Sequence, residues 1–449
     1  MSTKSILLSA AALLSAASLA SAQSLLDLPG LLGRQQTRPQ ENSVTVDYDV
    51  DFQYFFDMRE FGASKDIFMG SGTVNAARFS PSAVLRFDSG KGMIHRAAIG
   101  VDLTKDLGAN PTSEVVYSED ENDQQLRNFK LIKDIFFYYS FEGRAGKGDI
   151  GFHAGIFPKS MLFGDYTRAI FADELRYYDP NLEGITVQYR APRFQAELTA
   201  DLLSKSGLDR VGGEMVFTAG VFKPLDWASL GWSAAYTHSK GSFLQIADVD
   251  YLLAYPYAKA DFGSLVGMQE LSVKAGPMIS YQLDYAVVKT DESGQEVNEE
   301  PHFPFGAEVM LTARHWGLGI ENTFYYGDNM QVYRNNTYSD ISAAAAYASV
   351  IYGGEEFYFT RRNRPAYYDR LELYWQPLDF GFVKAKLSAV SHFVTPALSG
   401  EDTIGPFIGM QAKAALFFNL DAFRHPRQSA ARSSRGSRSR SSDGPVLSL

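Results

Sequence analysis

Residues 44–55 read VTVDYDVDFQYF, and their alternation decides the fold. Val44, Val46, Tyr48, Val50, Phe52 and Tyr54 fall on one side, and Thr45, Asp47, Asp49, Asp51 and Gln53 on the other. Successive side chains of a β-strand point to opposite faces, so this is a strand with one apolar and one acidic face. A helical period of 3.6 does not sort the residues this way.

The same period of two recurs along the chain. Ile185, Val187 and Tyr189 oppose Thr186, Gln188 and Arg190. Beyond Ala191-Pro192, Leu198, Ala200 and Leu202 oppose Glu197, Thr199 and Asp201. Leu271 and Val273 oppose Ser272 and Lys274, and Leu371, Leu373 and Trp375 oppose Arg370 and Glu372. Sixteen strands follow, at 44–57, 80–88, 93–104, 132–142, 149–157, 182–190, 193–203, 211–222, 228–239, 249–260, 269–285, 303–314, 316–327, 367–376, 379–393 and 405–420. Segment 328–366 has room for a further hairpin, which would make eighteen, and merging the weakest strands would make fourteen.

The connections discriminate between architectures. Seven short turns, among them SGKG at 89–92, GRAGKG at 143–148 and the single residue His315, interleave with eight longer loops. A sandwich with Greek-key connections has no reason to alternate in this way. An up-and-down transmembrane barrel does, with its short turns on one side of the membrane and its longer loops on the other. The expectation is an all-β chain folded as one antiparallel β-barrel, whose apolar face meets lipid and whose polar face lines a wet lumen. Val187→Arg is then costly, and Gln188→Arg is expected to be tolerated.

Composition agrees. Of 449 residues, 45% are hydrophobic and 21% charged, which excludes global disorder. The chain has no Cys, which removes disulfides, Cys-bound metals and thiol catalysis from consideration. Residues 1–22 pair a short apolar core with Ala20-Ser21-Ala22 and read as a secretory signal peptide. Residues 23–43 read as a periplasmic linker, 44–423 as the barrel and 424–449 as an Arg/Ser-rich disordered tail. Apart from that tail and Lys4, 35 Lys and Arg face 51 Asp and Glu, a net charge of −16.

The closing strand, IGMQAKAALFFNLDAF at 408–423, again alternates and ends on Phe423. Here the chain resembles the porin-type outer-membrane barrels of Gram-negative bacteria, whose last strand typically ends in Phe and is read by the barrel-insertion machinery. The resemblance spans residues 44–423, and 26 further residues follow the terminal aromatic. It implies residence in the outer membrane, contact with its lipids and lipopolysaccharide, and passage of small polar solutes. It also leaves room for a homo-oligomer.

Candidate lumen-lining acids are Asp47, Asp49, Asp51, Asp102, Asp134, Glu142, Glu197, Asp201, Glu214, Glu308, Glu321 and Glu372. Candidate bases are Arg86, Arg96, Arg190, Lys274, Arg314, Arg370, Lys384, Lys386 and Lys413. The excess of acid points to a weak cation preference. Loop 158–181 opposes Asp165, Asp173 and Glu174 to Arg168 and Arg176 among aromatics, the makeup of a constriction if it folds inward and of an external loop if it does not. No cofactor, metal or nucleic-acid partner is expected, since neither a zinc-binding HExxH nor a nucleophile elbow is present and GRAGKG lacks the rest of a phosphate loop. Two further readings remain open. One is a barrel enzyme using His238 with Ser239 or His392 with Ser391, and the other is a secreted glycan-binding β-protein.

Overall fold

The computed structural model describes residues 43–420, except 63–70, 90–91, 108–131, 173–179, 203–211, 241–248, 285–287, 291–295, 299–300, 331–354, 356–357, 359–364 and 396–405. The expected signal peptide, the expected linker up to residue 42, Phe423, the expected tail, and the candidates Asp173, Glu174 and Arg176 lie outside the described residues.

Sixteen strands form the barrel wall: β1 (Ser43–Phe61), β2 (Gly72–Asp88), β3 (Ile94–Asp106), β4 (Ile132–Ala145), β5 (Gly148–Pro158), β6 (Asn181–Ala191), β7 (Phe194–Leu202), β8 (Gly212–Leu225), β9 (Ala228–Lys240), β10 (Val249–Asp261), β11 (Glu270–Asp284), β12 (Phe305–His315), β13 (Leu318–Gly327), β14 (Ala366–Asp379), β15 (Val383–Val394) and β16 (Phe407–Asn419). Each pairs antiparallel with its neighbours in sequence, and β1 returns to β16 with Asp51 opposite Asn419 and Phe61 opposite Gly409. The sheet is therefore closed. β13 pairs directly with β14, Leu318 opposite Trp375 and Gly327 opposite Ala366, so among the described residues no strand stands between them. A short hairpin, Val288–Thr290 with Glu296–Asn298, stands in the connection between β11 and β12; the period of two does not extend to it.

The short turns follow from local chemistry. Trp316 and Gly317 both have positive φ, 51° and 77°, as a two-residue turn matched to strand twist requires. The turn is thus Trp316-Gly317 rather than His315, which ends β12. An added Cβ at Gly317 would lie 2.6 Å from the Gln376 carbonyl oxygen, so the position favours glycine twice over.

The two faces of the wall are inverted relative to a water-soluble protein. Val46, Ile99, Ile185, Leu198 and Leu373 are 49–75% exposed on the outside, while Thr186, Thr199, Ser233, Ser280 and Arg370 are fully buried inside. Keeping such apolar side chains in water would forfeit about 1.5–3 kcal/mol each. The outer surface is therefore suited to hydrocarbon. Inside, polar groups share the space with an apolar cluster that includes Phe157, Leu162, Ile170, Phe217, Leu253 and Met278.

Val187 is exposed on the outer face of β6. Val187→Arg is expected to destabilise the barrel by about 2–4 kcal/mol near the bilayer midplane, read as a fall in folding free energy into lipid vesicles. A cost below about 0.5 kcal/mol would contradict the assigned face.

Candidate functional site

After Pro158 the chain leaves β5 through one turn of 3₁₀ helix at Lys159–Met161 and runs into the interior. The entry is fixed by Lys159, whose ammonium donates to the Asn181 carbonyl at 2.9 Å. Residues 163–168 then bond across the barrel, and we call this segment the strap.

Its first anchor is Glu197 on β7. The backbone N–H groups of Phe163 and Gly164 donate to the Glu197 carboxylate at 2.9 and 2.8 Å, and the Tyr166 hydroxyl donates at 2.7 Å. Gln188 on β6 adds a fourth bond at 3.0 Å and a second of its own to the Met161 carbonyl at 2.9 Å. A buried carboxylate that accepts several N–H and O–H groups is held firmly, and so are its donors. Gly164 is required here: a Cβ would lie 2.6 Å from Ala219, from the Glu197 carboxylate and from the Tyr166 ring. Burial and the neighbouring Glu197 charge push the Tyr166 phenol well above its usual pKa, so it stays a neutral donor.

Further anchors lie across the lumen. Asp165 accepts from Lys274 on β11 at 2.8 Å. Burial opposes the Asp165 charge, but the Lys274 and Lys259 ammoniums outweigh it and hold the carboxyl below its usual range. Lys274 also sits 4.3 Å over the Tyr257 ring. The Thr167 N–H donates to Ser233 on β9 at 3.3 Å, and its hydroxyl to Glu308 on β12 at 3.4 Å. Arg168 donates to Glu321 at 2.6 Å and to Thr323 at 3.3 Å, both on β13, and lies 3.8 Å from Glu372 on β14. The strap thus runs from β6–β7 to β13–β14, bonding to wall strands nearly half a circumference apart.

Arg370 and Lys386 complete an ionic knot at the far end, 2.9 and 2.8 Å from the Glu372 carboxylate. Two groups from the loop between β13 and β14 join it. Glu355 lies 3.8 Å from Arg168 and 3.5 Å from Arg370, and Tyr358 donates to Glu308.

The candidates from sequence divide into two sets. Asp165, Arg168, Glu197, Lys274, Arg370 and Glu372 come together at the strap, and Arg190 stacks 4.3 Å over Phe163 beside it. Asp201 accepts from the Glu183 N–H at 2.9 Å. Glu197, Asp201, Lys274, Arg370 and Glu372 are at most 3% exposed, so these five are paired groups in a packed interior rather than solvated ones. Asp47, Asp49, Asp51, Arg86 and Arg96 sit on β1–β3, away from the strap. There Asn419 bridges Asp49 and Asp51 at 3.0 and 2.7 Å, Arg96 pairs with Glu142 at 2.8 Å, and Arg86 lies 3.5 Å from Asp88. Glu214 alternates with fully inward Met215 and Phe217, so it belongs to the outer face, not the lumen. Gln188 donates to Glu197 and to the Met161 carbonyl, so Gln188→Arg, expected from the sequence to be tolerated, would remove both bonds. Gly164, Ser233, Thr323 and Glu355 are not among the sequence candidates: each matters through a tertiary partner that no local period announces.

Glu197→Ala would orphan two buried backbone donors and two side-chain donors, at about 1–3 kcal/mol each. The strap is expected to detach instead, and trypsin should then cut after Arg168, a bond expected to be protected in the parent protein. Continued protection in the variant would contradict the anchor. Acid has a signed effect as well. Because the folded Asp165 pKa is lowered, its contribution is complete above the ordinary carboxylate range of about 4 and is lost as pH falls through the lowered value.

None of the models of known protein families matches the chain, and neither does any curated protein. Among solved structures the chain is similar to Pseudomonas aeruginosa OpdK with vanillate, at 11% identity and a TM-score of 0.43, covering 84% of this chain and 98% of that one. It is also similar to Salmonella typhi OmpF in complex with daunomycin, at 10% identity and a TM-score of 0.42, covering 84% and 97%. A mutant of Rhodopseudomonas blastica porin matches at 12% identity and a TM-score of 0.37, covering 84% and 100%. These neighbours are bacterial outer-membrane porins, and the present chain is a closed sixteen-stranded antiparallel β-barrel.

Proposed function

We propose that the protein is an outer-membrane channel for passive diffusion of small polar solutes or ions, with a weak preference for cations. The observation that carries this reading is the strap: a polar segment bonded to facing walls inside a barrel whose outer surface is apolar. A segment held in this way narrows the interior without sealing it by hydrophobic packing alone. The strap bonds to strands between β6 and β14, and the wall of β15, β16 and β1–β5 is the part along which we place the solute path. Asp47, Asp49 and Asp51 project from that wall, so cations are favoured there. Export follows from residues 1–22, and insertion from recognition of the closing strand by the barrel-insertion machinery. The outer face contacts lipid and, at its rim, lipopolysaccharide, and leaves room for a homo-oligomer.

A channel is favoured over a barrel enzyme by a specific observation. His392 is fully buried and points inward, its Nδ1 3.2 Å from the Tyr368 hydroxyl, whereas the adjacent Ser391 alternates to the outer face. His238 is engaged with Asp250 at 2.8 Å. Neighbouring strand residues cannot act together as base and nucleophile when they face opposite sides of the wall.

Reconstituted in a planar bilayer, the protein is expected to conduct without an energy source and to pass K⁺ modestly better than Cl⁻. Screening over about 8–10 Å at 0.1–0.15 M salt should erode that preference as salt rises. Replacing Asp47, Asp49 and Asp51 together by Asn should weaken it. Absence of conductance from heat-modifiable, correctly inserted barrels would overturn the reading. Anion preference would overturn the assignment of selectivity to these three aspartates.

A further inference from the structure

Within the ionic knot, the Glu355 carboxylate differs from the others in origin. Glu321 and Glu372 belong to wall strands β13 and β14, whereas Glu355 enters from the long connection between them. It is only 3% exposed. Its carboxylate lies 3.8 Å from the Arg168 Nε and 3.5 Å from the Arg370 Nε, and it accepts from the Tyr368 hydroxyl at 3.2 Å. Its backbone N–H donates to the Arg168 carbonyl at 2.7 Å. One carboxylate brought in from outside the wall thus occupies a place where two guanidiniums and a phenol converge.

Charge makes the place selective. The ion pairs join three cations, Arg168, Arg370 and Lys386, to three carboxylates, Glu321, Glu355 and Glu372. With Glu355 the group is neutral, and without it the remaining five carry +1. Lys413, close enough to influence Glu372, adds positive potential, and Glu308, close enough to Arg168 to interact with it, offsets that addition. One negative charge is what this place requires, and guanidinium groups suit a planar carboxylate.

We propose that Arg168, Arg370 and Tyr368 form a seat for a monocarboxylate, and that Glu355 fills it as an internal ligand. A solute bearing one carboxylate then competes with Glu355 for the seat. The seat is a local anion site at the strap, and its binding chemistry stands apart from the channel reading, whose cation preference rests on Asp47, Asp49 and Asp51.

Chemical rescue tests the seat without measuring transport. The full barrel carrying Glu355→Ala is unfolded thermally in detergent at neutral pH, with sodium acetate or with sodium chloride at equal ionic strength. Acetate is expected to raise the unfolding midpoint of Glu355→Ala saturably, by a few degrees, and chloride is not. Glu355→Gln, whose amide fills the space, and the parent protein should show no acetate-specific rise. Identical responses of Glu355→Ala to the two salts would overturn the proposal, and so would an equal acetate effect in the parent. If Glu355→Ala does not refold in chloride, refolding yield replaces the midpoint: recovery specific to acetate supports the seat, and none overturns it. Conductance does not enter, so failure of the seat and failure of the channel reading are separately visible.

Discussion

Every backbone N–H and C=O of a chain surrounded by hydrocarbon must find a partner within the protein, and the return of β1 to β16 meets that requirement here. Closure fixes much else. With the ladder complete, each strand has only an inside and an outside, and the period of two assigns side chains to them. The outside takes Val46, Ile99, Ile185 and Leu373, and the inside takes Thr186, Glu197, Lys274 and Arg370. The interior is then a confined space lined by hydrogen-bonding groups, and any segment that enters must satisfy them.

The strap meets that condition residue by residue. Glu197 collects four donors, Lys274 offsets Asp165, and Arg168 is shared among Glu321, Glu355 and Glu372. Breaking a buried pair costs more than the pair contributes when formed, because the abandoned partner stays desolvated. The many coupled bonds therefore give the strap one position more than they give the barrel stability. Its bonds engage β6 to β14, whereas Asp47, Asp49 and Asp51 lie on β1, outside that part of the wall. Of the lumen arginines, Arg168 and Arg370 are paired with carboxylates in the ionic knot.

The period of two in VTVDYDVDFQYF, repeated through DRLELYWQ, makes the wall readable, because a strand's two faces are written by neighbouring residues. The sixteen barrel strands and the alternation of short and long connections follow from it. What stays hidden depends on contacts between residues far apart in sequence. Gln188 looks like a free lumen residue, and its two bonds to Glu197 and Met161 emerge only once the strap is in place. Glu355 lies in a long loop without period, 187 residues from Arg168, and no local pattern links them. The parity of Glu214 is hard to read because the start of β8, GGEMVF, offers few apolar positions from which to fix it. Asp165 and Arg168 are visible as opposed charges in a loop, but whether that loop turns inward rests on Glu197 and Lys274, which the sequence supplies from other strands.

The most direct test of the central claim, that the strap sets the passage, is single-channel conductance after residues 163–170 are replaced by a short Gly/Ser link. Heat-modifiability on gels would first establish that the variant forms the closed barrel. The account predicts a conductance several-fold above that of the parent, with ion preference reduced. Equal conductance in the two proteins, or none in either, would contradict it.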